Sequence, residues 1–301
     1  MAVPVLDAKE TYTIEAAIRA AAHRFEKRGL CYGHGTDSAI DEASWLILSA
    51  MGLSPANAPD YQLQLNAEQV DACNTLLSRR MDERIPAAYL TAQAWFAGHR
   101  FICDRRALVP RSPLAELINS DYFGLLDAVE SPLILDLCTG GGCIAIACAH
   151  ASPDAVIHAS DVSSEALALA QENIDLHDVH DRVALLTGSL FEPVTARYDL
   201  IISNPPYVDA QDIAAMPEEF AHEPMLGLAA GSDGLDLVRL MLRDASGFLN
   251  PDGLLIVEVG NSWQALETAY PGLDFAWLEF AHGGHGVFML TRDQLMEQFT
   301  G

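Results

Sequence analysis

Lysine is nearly missing from this chain. Lys9 and Lys27 are the only two, the other basic residues are arginines, and 17 basic residues face 42 acidic ones for a formal net charge of −25. A surface of that sign repels nucleic-acid phosphates and attracts basic partners, which argues against a DNA or RNA substrate, although solubility or adaptation to salt accounts for it equally well. Long apolar runs are missing too. None approaches the roughly 20 residues of a membrane-spanning helix. The stretch from Met1 to Glu10 lacks the apolar segment behind basic residues that marks a signal peptide, so a cytoplasmic location with no membrane partner is expected. No CxxC pair occurs among Cys31, Cys73, Cys103, Cys138, Cys143 and Cys148, and the last three fall in apolar segments, so reduced, mostly buried thiols are expected. Internal repeats and low-complexity tracts are absent.

What remains is a globular composition. Half of the 301 residues are hydrophobic and the mean hydropathy is +0.14, enough chain for one large α/β domain and a smaller one. Up to about residue 90 the pattern is helical: Ile14, Ala17, Ile18, Ala21 and Phe25 form one apolar stripe, and further helices are expected over 41–51 and 67–84, with Pro86 marking an end. The segment "AWFAGHRF" (94–101) reads as a hairpin around Gly98, and "LVPRSPLAELI" (108–118) as a Pro-bounded turn and helix. From Pro132 strands alternate with helices: strands at 132–138, 155–161, 182–188, 198–204 and 253–260, helices at 143–149, 163–177, 235–249 and 261–270. That alternation implies a parallel sheet covered on both faces. The final strands "DFAWLEF" and "GVFMLTR" are joined by the short loop "AHGGH" and should pair antiparallel.

Two motifs carry chemistry. "GGGCIA" offers Gly140, Gly142 and Ala145, and Asp161 ends the next strand, which is the pattern of a nucleotide-binding βαβ unit and makes a nicotinamide-dependent oxidoreductase the first hypothesis. Asp136 speaks against it. A carboxylate just before the glycines opposes a pyrophosphate at the helix N-terminus and suits a cofactor with positive charge, such as S-adenosylmethionine, whose ribose Asp161 would grip. The second motif is "SNPPYVD" (203–209), directly after an apolar strand. Two prolines end the strand because they cannot donate ladder hydrogen bonds. The Asn204 side-chain carbonyl and the Pro205 backbone carbonyl, held rigid with Pro206, then offer two acceptors to a planar NH₂ group, and Tyr207 would pack over it.

Asn-Pro-Pro-Tyr together with the glycine loop resembles DNA adenine methyltransferases and protein glutamine methyltransferases, and the net charge disfavours the DNA enzymes. The stretches "GHGTDSAIDEA", "RIPAAYLTAQAWFAGHRF", "LVPRSPLAELI", "DLCTGGGCIAIACA", "NPPYVDAQD" and "HEPMLGLAAGSDGLDL" resemble the protein glutamine methyltransferase family over nearly the whole chain, in particular the branch acting on ribosomal protein L-three. Cys138, and Ser112-Pro113-Leu114-Ala115 in place of Pro-Asp-Thr-Glu, separate the chain from the release-factor branch. The resemblance implies a class I, Rossmann-like methyltransferase sheet with an antiparallel last strand, behind a small helical N-terminal domain. It implies a helical substrate-recognition domain at 1–92, a hairpin linker at 93–108 and a catalytic domain at 109–301.

The resemblance also implies site roles. Asp136, Cys138, Thr139, Gly140 and Gly142 would line the methionyl end of S-adenosylmethionine, and Asp161 and Val162 its ribose side. Ser189, Leu190 and Asn204 would complete the cofactor site. Asn204, Pro205, Pro206 and Tyr207 would carry the catalysis, and Arg111, Asn204, Pro205 and Tyr207 would bind the glutamine of ribosomal protein L-three. Ser189 departs from the family's usual aspartate near adenine, and Gly141 from a more usual serine. Release-factor methylation, a DNA adenine methyltransferase and a non-catalytic assembly factor stay as alternatives. No metal site is expected: His177 and His180 in "DLHDVHD" read as part of a solvated turn, and "HGGH" (282–285) as a hairpin tip. Arg111 suits a helix-start salt bridge as well as a ligand contact, and Glu258 ends a strand beside the site.

Overall fold

The stripe of Ile14, Ala17, Ile18, Ala21 and Phe25 is buried along one face of α1 (Ile14–Lys27), which Thr13 caps by accepting from the Ala16 N–H. The structure, a computed structural model, describes residues 4–7, 9–54 and 59–299. It divides into two units, Met1–Ala94 with Pro217–His222, and Trp95–Met216 with Glu223–Gly301. In the first unit α2 (Ala39–Ala50) starts at Ser38, and α3 (Ala67–Asp82) starts at a reciprocal capping box of Asn66 and Gln69. Pro86 opens the short α4 (Ala87–Thr91). Caps of this kind each stabilise a helix by about 1 kcal/mol. Phe25, Leu46, Ile47 and Leu77 are fully buried in the centre.

Charge also enters this core. Arg80 is fully buried, with Nε donating to Glu42 Oε1 at 2.8 Å and Nη1 to Glu219 Oε1 at 3.2 Å. Its Nη2 donates to the Cys31 carbonyl at 2.8 Å. A buried triad of this kind offsets its own desolvation while it is complete, and removing one member leaves a charge in a dry site.

In the hairpin that follows, β1 (Gln93–Phe96) and β2 (His99–Ile102) are joined by Ala97 and Gly98 at φ 49° and 83°. Two left-handed residues form the tight turn whose twist matches the strands. Next come α5 (Leu114–Asn119), β3 (Leu133–Leu137), α6 (Cys143–Ala151), β4 (Val156–Asp161) and α7 (Ser164–His177). The chain continues through β5 (Val183–Thr187), β6 (Tyr198–Ser203), α8 (Ala210–Ala215), α9 (Asp236–Asp244) and β7 (Leu249–Glu258). It ends with α10 (Trp263–Ala269), β8 (Ala276–Trp277), β9 (Val287–Thr291) and α11 (Arg292–Phe299).

The seven-stranded sheet has the order β5-β4-β3-β6-β7-β9-β8. It is parallel through β7, and β9 pairs antiparallel with both β7 and β8, as the short loop between the last strands requires. This is the class I methyltransferase sheet. Two segments differ from their sequence expectation. The helix expected over 235–249 ends at Asp244, because Ala245–Gly247 tightens into a 3-10 turn, and β7 already starts at Leu249. The terminal α11 carries no sequence signal of its own beyond the buried Leu295.

Ile144 to Ala149 are all buried, which explains why α6 is apolar on every side. Strand order reverses between β3 and β6, since β3 pairs with β4 on one side and β6 on the other. Open α/β sheets bind ligands beyond the strand ends at such a reversal. Among the described residues no helix is long and apolar enough to cross a membrane.

Candidate active site

The register brings the two motifs together. Asp136 pairs with Ile202, and Leu137 with Ser203, so the turn after β3 and the Asn204 turn after β6 leave the sheet side by side. Ser203 Oγ donates to the Leu137 carbonyl at 2.6 Å and pins the two strand ends.

Asp136 is fully buried. Its Oδ2 accepts from Thr139 Oγ1 at 2.5 Å and from the Ala145 N–H at 3.1 Å. Its Oδ1 has no hydrogen-bond donor among the described residues. Burial pushes the carboxyl up to about 7, against the two hydrogen bonds that favour the anion, and the nearby Asp161 charge raises it further. An orphaned acceptor of this kind costs about 1–3 kcal/mol. A cationic ammonium donor fits that deficit, whereas a pyrophosphate would deepen it.

The turn itself is left-handed at Cys138, Gly140 and Gly142. At Gly142, φ is 81° and a Cβ would lie 3.1 Å from the Ala170 Cβ, so glycine serves both backbone and packing there. The Cys138 thiol is pushed up by burial and by the Asp161 and Asp136 charges, so it stays protonated. Asp161, at the end of β4, spans the loops: Oδ2 accepts from the Gly140 N–H at 2.9 Å and Oδ1 from the Ser163 N–H at 2.8 Å. Each oxygen keeps a further lone pair for a ribose hydroxyl. Val162 beside it is exposed. Beyond β5, the Ser189 N–H donates to Glu192 Oε2 at 3.3 Å, and Leu190 is left-handed at φ 47° with its side chain packed on the core.

In the Asn-Pro-Pro-Tyr turn the half-buried Asn204 carboxamide makes no hydrogen bond among the described residues, and the Pro205 carbonyl accepts none. Tyr207 is held differently. Its hydroxyl donates to Glu258 Oε1 at 2.8 Å, and its carbonyl accepts from Ser262 Oγ at 2.8 Å. The other Glu258 oxygen accepts from Ser112 Oγ at 2.5 Å. Burial, followed by the Glu258 charge and hydrogen bond, pushes the Tyr207 phenol far above its ordinary range, so it stays a donor. Burial likewise raises Glu258, opposed by the Ser112 and Tyr207 hydrogen bonds. A Cβ at Gly260 would fall 2.6 Å from the Tyr207 ring, so the ring lies flush on that backbone.

Arg111 donates from both Nη atoms to Glu223, at 2.6 and 2.8 Å, and Glu223 Oε1 also accepts from the Val109 N–H at 3.0 Å. The structure thus places Arg111 in a fixed fork with a buried carboxylate. Glu223 and Ser262 were not among the residues singled out by sequence, and Ser112 was named only as a departure from the release-factor branch, with no role in the site. Glu223 lies in "HEPMLGLAAGSDGLDL", a stretch with no chemical pattern of its own. The solvated-turn expectation for "DLHDVHD" holds for His180, which is exposed, but not for His177. That ring closes α7 half-buried, with Nε2 3.0 Å from the Arg100 carbonyl, because the hairpin packs over the helix end.

The methyltransferase small domain family matches residues 124–273. A ribosomal protein uL3 glutamine methyltransferase of Neisseria gonorrhoeae is 47% identical over 295 residues, covering 96% of this chain and 97% of its own. One of Xanthomonas campestris is 48% identical over 292 residues, covering 96% and 94%. Among solved structures, a methyltransferase from Pyrococcus furiosus superposes with a TM-score of 0.45 at 17% identity, covering 64% of this chain and 88% of its own.

Proposed function

The chain belongs to the family of ribosomal protein uL3 glutamine methyltransferases, and from that premise we propose how its residues divide the work. The enzyme transfers a methyl group from S-adenosylmethionine to the side-chain amide nitrogen of a glutamine in ribosomal protein uL3. S-Adenosylmethionine, when bound, supplies an electrophilic methyl on a sulfonium. Asp136, with its unpartnered Oδ1, balances the positive charge of the methionyl end. The Cys138–Gly142 turn cradles that end, Asp161 and Val162 hold the ribose side, and Ser189 and Leu190 border the adenine.

The adjacent, unpartnered Asn204 and Pro205 carbonyls carry the catalytic reading. A carboxamide nitrogen is a poor nucleophile because its lone pair is delocalised. Accepting its two N–H groups orients the nitrogen and favours the geometry in which that pair becomes available, while placement in a dry site excludes competing water. With both N–H groups held by these carbonyls, the amide nitrogen would face the methyl that bound S-adenosylmethionine would supply as its sulfonium becomes a neutral thioether, and the acidic N–H proton of the product would leave to water. Pro206 stiffens the turn. Tyr207, anchored through Glu258 and Ser112, closes over the planar amide. Arg111, fixed by Glu223, shapes the substrate side. The helical first unit recognises the protein substrate, and the acidic surface suits a basic partner, no DNA and a cytoplasmic setting.

Labelled S-adenosylmethionine is incubated with the enzyme and with unmethylated uL3 or release factor. Label on uL3, lost when its target glutamine is replaced, is expected. Label on the release factor alone would overturn the assignment.

A further inference from the structure

Three histidines distant in sequence converge at the end of the second unit away from the methyl-transfer motifs. His99 lies on β2, His150 near the C-terminus of α6, and His177 at the C-terminus of α7. Both helices start at the site edge of the sheet and run back to its opposite edge, where these rings meet. One nitrogen from each lies within 4.8 Å of the others, and all three residues are half-buried. We propose that His99, His150 and His177 bind a divalent transition-metal ion, zinc foremost, in a structural site that ties the hairpin to the ends of α6 and α7.

The spacing supports this. His150 Nε2 and His177 Nδ1 are 3.1 Å apart. Two imidazole nitrogens on a tetrahedral zinc at 2.0–2.1 Å stand about 3.3 Å apart, so this pair needs only a slight separation to admit the ion. The His99 ring stacks on His150 with centroids 4.3 Å apart and an 18° tilt, and a rotation about its side chain brings its nitrogen in as third ligand. A water completes the tetrahedron.

Support from behind the rings is also present. His177 Nε2 faces the Arg100 carbonyl at 3.0 Å, the contact that fixes a ligating histidine's tautomer and leaves Nδ1 its lone pair. Without metal, the short contact has His150 Nε2–H donating to His177 Nδ1. Metal binding moves that proton to His150 Nδ1, so no proton is lost and nothing is oxidised. Arg182, which donates to the Ala149 carbonyl next to His150, adds a repulsive charge that limits affinity. Ordinary ring packing is the competing reading: Phe101 also lies against His177, with centroids 4.7 Å apart. It explains the stacking but gives no reason for a nitrogen of each ring to fall within 4.8 Å of the other two.

The test uses the full chain stripped with a chelator and titrated with zinc by calorimetry, with thermal melts alongside. One ion per chain and a rise in melting temperature that the chelator reverses are expected. His99→Gln and His150→Gln should each weaken binding by more than about 100-fold, beyond the 10–100-fold loss typical of supporting partners. As a readout independent of variant folding, cobalt in the unmutated chain should give a tetrahedral spectrum without thiolate bands. Zinc held equally well by both variants, thiolate bands with cobalt, or no binding at micromolar zinc would overturn the proposal.

Discussion

Replacing Asp136 by asparagine isolates the charge on which the cofactor assignment turns. The amide keeps one oxygen to accept from Thr139 and Ala145, so the turn stays formed, but the negative charge is gone. In the free protein, burial lifts this carboxyl from 3.8 to about 7, a difference worth roughly 4 kcal/mol. A cation bound beside Asp136 regains part of that, so Asp136→Asn weakens S-adenosylmethionine binding by at most about 1,000-fold, and by about 100-fold if two units are recovered. The sign with pH follows. Only the carboxylate attracts the cation, so affinity in the unmutated protein falls as pH drops through about 7, towards 10-fold per unit, while the asparagine variant stays flat. Calorimetry from about pH 6 to about pH 8 measures both. Repeating it with S-adenosylhomocysteine, which lacks the sulfonium but keeps the ammonium, tells which charge Asp136 serves. Equal affinity and equal pH profiles for the two proteins would refute the argument.

Asn204→Ala removes one of the two carbonyls offered to the glutamine; turnover on uL3 should fall by about 100- to 1,000-fold while S-adenosylmethionine affinity changes little, and undiminished methylation would end the clamp. Arg80→Ala strands Glu42 and Glu219 in a dry core and should cost about 3–5 kcal/mol by urea unfolding; a variant as stable as the parent would show the triad to be idle. Burial would raise Glu219, but hydrogen bonds from the Cys31 N–H and Arg80, with the Arg80 charge, outweigh it and hold it below the usual carboxylate range. Its contribution is therefore complete above that range and fades as pH falls through the lowered value, so Glu219→Ala should flatten the acid limb of a stability–pH curve.

The local elements were legible in the residues because their constraints act on the backbone within a few positions. Prolines end a strand wherever they stand, glycine admits φ 81° at residue 142, and apolar spacing marks a helix face without reference to the rest of the chain. These rules placed the Asp136 turn, the Asn204 turn and the alternating strands and helices. Glycines and an acid alone left nicotinamide and S-adenosylmethionine both open, and the choice needed Asp136 as a charge argument. The α11 helix and the early end of α9 escaped because short segments are decided by packing, which outweighs weak propensity.

What only the tertiary structure decided is which polar groups are dry and who satisfies them. Arg111 meets Glu223 across 112 residues, Tyr207 meets Glu258 across 51, and Arg80 meets Glu219 across 139. A glutamate reads the same in a sequence whether it is solvated or buried. The cost of desolvating it, and therefore its partner, its protonation and its use, exists only once packing has removed the water. His99 and His150 carried no signal of their own in the sequence and His177 read as part of a solvated turn; the three became one cluster only when β2, α6 and α7 closed around them.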